Sequence, residues 1–119
     1  MSDRSEGSVR KDRLLFLLGL CRKAGAMKSG EEGCEAAVKS GKAYLVVLSD
    51  DASGNTSKKF HDKCAFYQVP ILTAPYGKVR LGQAMGLSPR SCIAITEEGL
   101  ARLINECIKT CTEEVENIG

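Results

Sequence analysis

The sequence has no tryptophan, and phenylalanine and tyrosine together make up only 5% of its 119 residues. It also lacks any apolar run near the roughly 20 residues that a membrane-spanning helix needs. The longest run, residues 14–21, is short and contains Gly19. Residues 1–11 are polar and have no apolar export signal. The chain has 43% apolar and 27% charged residues. We therefore predict an ordinary cytoplasmic protein that does not associate with a membrane.

Common enzyme motifs are also missing. The sequence contains no Walker loop, no G-x-G-x-x-G and no G-x-S-x-G. Asp50 and Asp51 follow an apolar segment, a place where α/β proteins often carry functional groups. Two adjacent acids in a turn are more often solvated or capping residues. We therefore predict no catalytic residues, no cofactor and no small-molecule substrate.

Six cysteines and one histidine are the zinc-ligand types to consider first in the chain. The cysteines stand mostly at apolar positions of predicted helices and strands, so we interpret them as reduced, buried thiols. A zinc site is the alternative, since His61 and Cys64 are three residues apart and Cys107 and Cys111 are four apart. The chain has no C-x-x-C pair, and the last two cysteines belong to an apolar helical stripe. We predict no metal site.

Helical and strand patterns alternate along the whole chain. Residues 43–49 form the clearest strand, because the segment is continuously apolar, as expected of a strand covered on both faces. Shorter strands are predicted at 26–28, 69–73 and 92–96, with helices before, between and after them. Pro70 places its strand at an edge or strand end. The alternation predicts one α/β domain over residues 9–111, with a flexible N-terminal tail at 1–8 and a polar C-terminal tail at 112–119.

Several local features are also predicted. The first helix, 9–24, is apolar on most sides and is expected to be well buried. Ser29 and Glu32 have the spacing of a capping box at the start of the second helix, and Thr96 is in position to cap the last one. In the helix at 56–68, Tyr67 is expected to face inward with Phe60 and Cys64, and Lys58, Lys59 and Lys63 to face solvent.

The order and spacing of several segments resemble a known family. These are GKAYLVVLSDDA at 41–52, Cys64 with Val69-Pro70, LGQAMG at 81–86 and IAI at 93–95. Together they resemble ribosomal proteins of the L7Ae/L30e family, closest to its small bacterial members, over residues 14–108. The resemblance implies a three-layer α/β/α sandwich with a four-stranded mixed sheet.

The resemblance also implies a function, because many family members bind RNA at kink-turns, where an internal loop sharply bends the helix. The expected partners are a structured RNA, such as ribosomal RNA or another kink-turn RNA, and other ribosomal proteins. Two loops and the helix between the third and fourth strands are then the RNA-binding surface. Its predicted residues are Lys28, Ser29, Gly30, Glu31, Glu32, Gly33, Lys78, Arg80, Gly86, Leu87, Ser88 and Arg90. Lys28, Lys78, Arg80 and Arg90 form its basic rim.

The first of these loops departs from the family pattern. The family motif is glycine, any residue, asparagine, glutamate, two further residues and lysine. Here Gly30 matches, while Glu32, Gly33 and Ala36 replace the asparagine, glutamate and lysine. The replaced residues are the ones that meet base edges and phosphate. Two hypotheses follow: an RNA-binding ribosomal-type protein, or a protein-interaction or assembly module on the same fold that has lost specific kink-turn recognition.

Overall fold

The computed structural model describes the backbone of residues 6–118 and the side chains of residues 13–111. Helices and strands alternate as predicted from the sequence. In chain order the elements are α1 (Glu6–Ala24), β1 (Met27–Ser29), α2 (Glu31–Lys39), β2 (Leu45–Leu48), α3 (Gly54–Tyr67), β3 (Ile71–Thr73), α4 (Lys78–Ala84), β4 (Cys92–Ile95) and α5 (Glu98–Ile118).

The four strands form one mixed sheet in the order β1-β4-β2-β3. β4 runs antiparallel to both β1 and β2, whereas β3 runs parallel to β2. All four residues of β2 and all four of β4 are buried, which confirms that the apolar segment at 43–49 contains a central strand. The strand itself is shorter than predicted, and Tyr44 just before it is 46% exposed. β3 lies at an edge, and Pro70 just before it offers its carbonyl to the backbone N–H of Val46 at 2.9 Å. Proline is tolerated there because this role needs no N–H of its own.

Helices cover both faces of the sheet. Alternate residues of each central strand point to opposite sides, so Val47 and Ile93 belong to a core with α1, α4 and α5. Val46 and Ala94 belong to a second core with α2 and α3. This arrangement is the three-layer α/β/α sandwich with a four-stranded mixed sheet that the resemblance implied.

Both terminal helices are longer than the sequence pattern predicted. α1 begins at Glu6, inside the segment 1–8 predicted as a tail, and α5 continues to Ile118, through most of the segment 112–119. Residues 1–5 and 119 lie outside the described residues. Polar side chains do not by themselves end a helix when nothing in the backbone breaks it.

Two burial predictions are wrong. α1 is not buried on most sides, because Phe16 is 65% exposed and Leu20 is 37% exposed. The α1 face that carries Leu14, Leu18 and Cys21 belongs to the core with the sheet, and among the described residues no layer covers the other side. On α3, Phe60 and Cys64 are buried as predicted, but Tyr67 at the helix end is 40% exposed.

All six cysteines are free and buried, as predicted. Burial raises the pKa of Cys21 and Cys64 to about 11, so both remain neutral thiols near pH 7. Cys64 and Cys107 lie in the two different cores, on opposite faces of the sheet, so they cannot share a metal ion. Within the described part of the chain, no helix is both long and apolar enough to cross a membrane.

Candidate nucleic-acid interface

The loop between β1 and α2 is held against the first residue of β4. Gly30 is the N-cap residue of α2 and has a φ of 82°, a conformation that favours glycine. Its backbone N–H donates to the carbonyl of Cys92 at 3.2 Å. The start of α2 has no side-chain cap, so backbone N–H groups of its first turn are open to an external acceptor.

The predicted capping box is wrong. Ser29 and Glu32 have the right spacing, but no side chain caps α2. The Ser29 hydroxyl instead accepts a hydrogen bond from Arg90 Nε at 2.9 Å, and Glu32 is exposed. Arg90, a charged donor 61 residues further along the chain, thus binds the hydroxyl that would otherwise cap the helix.

Arg90 connects the two loops predicted to form the interface. Besides its bond to Ser29, its Nη1 donates to the hydroxyl of Ser88 at 2.6 Å and to the carbonyls of Ser88 at 3.0 Å and Pro89 at 3.2 Å. Its backbone N–H donates to the carbonyl of Lys78 at 3.0 Å. Ser29, Lys78, Ser88 and Arg90 are therefore brought together. The main structural role of Arg90 is therefore to hold the two loops in place.

The second loop packs closely on α4 at Gly82. A Cβ atom on Gly82 would lie 2.2 Å from the carbonyl oxygen of Ser88 and 2.9 Å from that of Leu87. The carbonyl of Gly82 also accepts a hydrogen bond from the backbone N–H of Leu87 at 2.8 Å. Gly86, at φ 70°, lets the chain turn from the helix into this loop. The loop is therefore built on backbone contacts that leave no room for a side chain at Gly82.

Asp51 stabilises the start of α4. Its Oδ1 accepts a hydrogen bond from the backbone N–H of Lys78 at 3.0 Å, a cap that the helix's own N-cap residue, Gly77, cannot supply. The Ser49 hydroxyl and this N–H hold the pKa of the Asp51 carboxyl below its usual range. Asp51 thus has a capping role, as the sequence favoured.

Glu31, one of the predicted interface residues, faces α3. Its carboxylate accepts a 2.8 Å hydrogen bond from the hydroxyl of Thr56, which is buried, and lies 3.5 Å from Lys59 Nζ. Its charge is therefore partly balanced within the protein and turned away from the loop formed by Ser29 and Gly30.

One turn further along α2, Glu35 lies among three lysines. Its carboxylate oxygens lie 3.1 Å from the Nζ atom of Lys59, 3.2 Å from that of Lys63 and 3.3 Å from that of Lys39. The prediction of a purely solvated lysine face on α3 was therefore wrong for Lys59 and Lys63, which join α3 to α2. Hydrogen bonds from Lys59, Lys63 and Lys39, in that order of effect, lower the pKa of Glu35 to about 2.

We expect this cluster to give stability a dependence on pH. A carboxyl with a lowered folded-state pKa contributes stability that is fully present above about pH 4.5, its ordinary value, and is lost as pH falls toward about 2. The Glu35→Gln variant should therefore show a flatter fall in the free energy of unfolding over this range, measured by urea denaturation at each pH. Asp62→Asn, which removes an exposed pair with Lys58, is the control. Equal curves for wild type and Glu35→Gln would contradict the assignment.

The final helix has a different cap from the predicted one. The backbone N–H of Thr96 is bonded to the carbonyl of Ala26 at 2.8 Å. The helix is capped by the next residue, Glu97, whose Oε1 accepts from the N–H of Leu100 at 2.7 Å. The β1–β4 register ends at Met27 and Ile95, and the bond between Thr96 and Ala26 ties Thr96 to the chain just before β1.

A family model and individual relatives agree with this architecture. The model of the "Ribosomal protein L7Ae/L30e/S12e/Gadd45 family" matches residues 12–105. This chain belongs to that family. It is 40% identical to the RNA-binding protein YlxQ of Bacillus subtilis (strain 168), over 71% of this chain and 84% of that protein. It is 34% identical to the RNA-binding protein YlxQ of Enterococcus faecium, over 88% of this chain and 98% of that protein.

Solved structures show the same fold. A Bacillus halodurans protein of unknown function has a TM-score of 0.78 and 37% identity, covering 82% of this chain and 97% of that chain. The Giardia lamblia 15.5kD RNA binding protein has a TM-score of 0.71 and 24% identity, covering 95% of this chain and 98% of that one.

The departures from the family motif leave an open groove beside α2. Gly33 and Ala36, which replace the family's glutamate and lysine, line a groove of about 300 Å³ together with Ala37, Ser40 and Thr96. Lys28 and Lys42 also line it. Lys42 is a lining residue that was not predicted from the sequence. It follows α2, and only the folded chain places it in the same groove as Lys28.

The remaining predicted residues are more dispersed. Lys28 and Lys78 are exposed and lie next to the joined loops. Leu87 is partly buried against the core of α1, α4 and α5. Arg80 is exposed on α4, and within residues 13–111 the structure gives it no hydrogen bond or ion pair with the other predicted residues. Hydrogen bonds therefore join the two loops and the start of α4, and none of those described includes the side chain of Arg80.

Proposed function

We propose that this protein binds a bent, structured RNA of the kink-turn kind, in the ribosome or a related cytoplasmic ribonucleoprotein. The observation that carries the proposal is the Arg90–Ser29 hydrogen bond, which joins the two loops into one surface. Exposed Lys28 and Lys78 lie on that surface. The YlxQ relatives, named RNA-binding proteins, support the same class of partner.

The chemistry of this surface suits phosphate more than base edges. The uncapped first turn of α2 offers backbone N–H groups, and the lysines supply charge. Gly33 and Ala36 leave space for a backbone to approach closely. Binding is therefore expected to depend on the shape of the RNA and on salt, with less direct reading of bases than the family motif provides.

A salt-titrated binding assay tests the proposal. The purified chain is titrated into a labelled kink-turn RNA, and into a duplex of the same length without the internal loop, from about 50 to 200 mM salt. We expect binding to the kink-turn RNA, weaker binding to the duplex, and affinities that fall as salt rises. Failure to bind either RNA at low salt would contradict the proposal.

Single lysine substitutions should identify the phosphate contacts. Lys28→Ala and Lys78→Ala are each expected to weaken kink-turn binding and to reduce the slope of log affinity against log salt by about 1. Lys58→Ala is the matched control, because Lys58 is exposed on α3 and pairs with Asp62. If neither lysine variant changes the slope of log affinity against log salt, Lys28 and Lys78 do not belong to the RNA-binding site.

A protein-interaction or assembly module is the second candidate. It is favoured by Glu32, Gly33 and Ala36, which stand where family members carry the asparagine, glutamate and lysine of the RNA-binding motif. In the same titration this module would bind kink-turn and duplex RNA equally weakly. Tighter binding to the kink-turn RNA than to the duplex, with a smaller difference in the Lys28→Ala variant, would count against this second candidate.

A further inference from the structure

An apolar groove lies between the outer side of α1 and the end of α4. It has a volume of about 360 Å³ and is lined by Phe16, Leu20, Ala84 and Met85, with Arg22 and Lys23 among its lining residues. Phe16 and Leu20 are the exposed side chains that the sequence pattern predicted to be buried. They stand four residues apart, so both lie on one face of α1.

The groove exists because α1 and α4 meet at a glycine. A Cβ atom on Gly19 would lie 3.1 Å from the carbonyl oxygen of Ala84, so the two helices approach each other closely there. Gly19 also lines the groove and has no side chain to fill it. Apolar side chains on either side of this position are left without a covering layer.

Two cations, Arg22 and Lys23, line one end of the groove. Arg22 and Lys23 are exposed, and no acidic side chain within residues 13–111 forms an ion pair with either. An apolar groove lined by two cations is complementary to a partner that combines apolar side chains with carboxylates. An RNA backbone would satisfy the cations but would place phosphates against the apolar side chains.

From this combination we propose that the groove docks an acidic amphipathic helix of a partner protein. The stretch from Phe16 to Lys23 measures about 10 Å along α1, or about two helical turns. Apolar residues three or four positions apart on the partner fill the space beside Phe16 and Leu20, and a carboxylate one turn away meets Arg22 or Lys23. This proposal does not rest on RNA binding.

Only one end of the groove lies near the joined loops, because Met85, which lines it, directly precedes Gly86. α1 ends next to the carboxyl end of β4, where the carbonyl of Ala26 accepts from Thr96. Arg90 lies before the opposite end of β4. The positively charged end of the groove and the joined loops are thus at opposite ends of the same strand.

Two synthetic helical peptides provide the test. Both are about 18 residues long, with terminal charges blocked and leucines repeating every three or four positions. One carries glutamates beside the leucines and the other carries lysines at the same positions. Binding of each labelled peptide to the full chain is measured by fluorescence anisotropy. We expect the acidic peptide to bind about tenfold more tightly than the basic one.

Surface variants then locate the site. Phe16→Ala, and separately Arg22→Glu with Lys23→Glu, should each weaken acidic-peptide binding about tenfold, with an unchanged circular dichroism spectrum. Phe66→Ala is the matched control, since Phe66 is 78% exposed on the other face of the sheet. Arg102→Glu with Lys109→Glu is the charge-matched control on α5, where both residues are exposed.

Several outcomes would overturn the proposal. These are the absence of peptide binding, equal binding of the two peptides, and equal loss of binding in the control variants. A dimer in sedimentation experiments that Phe16→Ala dissociates would assign the groove to a second copy of the chain. Crosslinks to RNA from a photoreactive residue at position 16 would assign it to nucleic acid.

Discussion

Replacing Gly82 with alanine is expected to lower the free energy of unfolding by about 2–3 kcal/mol, the upper part of the range of about 1–3 kcal/mol that is usual for overpacking a well-packed site. The added Cβ would lie 2.2 Å from the carbonyl oxygen and 2.8 Å from the carbonyl carbon of Ser88. Both are backbone atoms, so no side-chain rotation can relieve the contact. Urea denaturation measures the change as a lower midpoint with an unchanged slope.

Gly33→Ala is the matched control for this prediction. Gly33 also lies in a helix, but its added Cβ would be 3.6 Å from the Cβ of Lys28, an ordinary van der Waals contact. Because alanine favours helix more than glycine does, this variant should have wild-type stability or gain up to about 1 kcal/mol. If the two variants are equally stable, the loop after α4 can move away from the added methyl group without lowering the free energy of unfolding.

The Gly82 variant should also affect RNA binding if the loop moves instead of the helix. The carbonyl of Ser88 accepts from Arg90 Nη1, so a displaced Ser88 would disturb the side chain that holds Ser29. We expect weaker kink-turn binding, and changed amide chemical shifts at Ser29 in the free protein. Loss of stability with normal affinity would mean that α4 shifts and the interface stays intact.

The fold could be predicted from the sequence because its evidence is local. The apolar run around Leu45–Leu48 requires cover on both faces, and helical patterns on either side of it provide that cover. The glycines at 25, 41 and 86 have positive φ next to helix ends, as helix-terminating glycines do. The ends of the helices and their outward-facing sides were less predictable. The apolar pattern of α1 does not reveal that the side chain of Phe16 is left exposed.

The interface was only partly predictable, for a different physical reason. Family resemblance indicated which loops to consider, but the hydrogen bonds within them join residues distant in sequence. Ser29 fits a capping box when read with its neighbours, whereas Arg90 takes its hydroxyl in the folded chain. The sequence places Glu31 in the first loop, but it does not show that Thr56 on α3 donates a hydrogen bond to its carboxylate. Long-range pairing of this kind has no periodic pattern in the sequence.

Arg90→Ala is expected to weaken kink-turn RNA binding by about 10- to 100-fold, which corresponds to the roughly 1.5–3 kcal/mol of hydrogen bonds made by a charged group. The guanidinium group donates at once to the hydroxyls of Ser29 and Ser88, so its loss should release both loops. Arg90→Lys should rescue little, because an ammonium group cannot reproduce the planar donor geometry. Binding is measured by the same salt titration.

Two further variants separate the positioning role of Arg90 from its charge. Ser29→Ala keeps the charge but removes one acceptor, so it should weaken binding less than Arg90→Ala does, and the effects of the two should not add in the double variant. Arg80→Lys, at an exposed position, should bind as wild type. If Arg90→Lys restores full affinity and the Ser29 and Arg90 effects simply add, Arg90 acts as a phosphate-binding charge and the hydrogen bond to Ser29 does not organise the site.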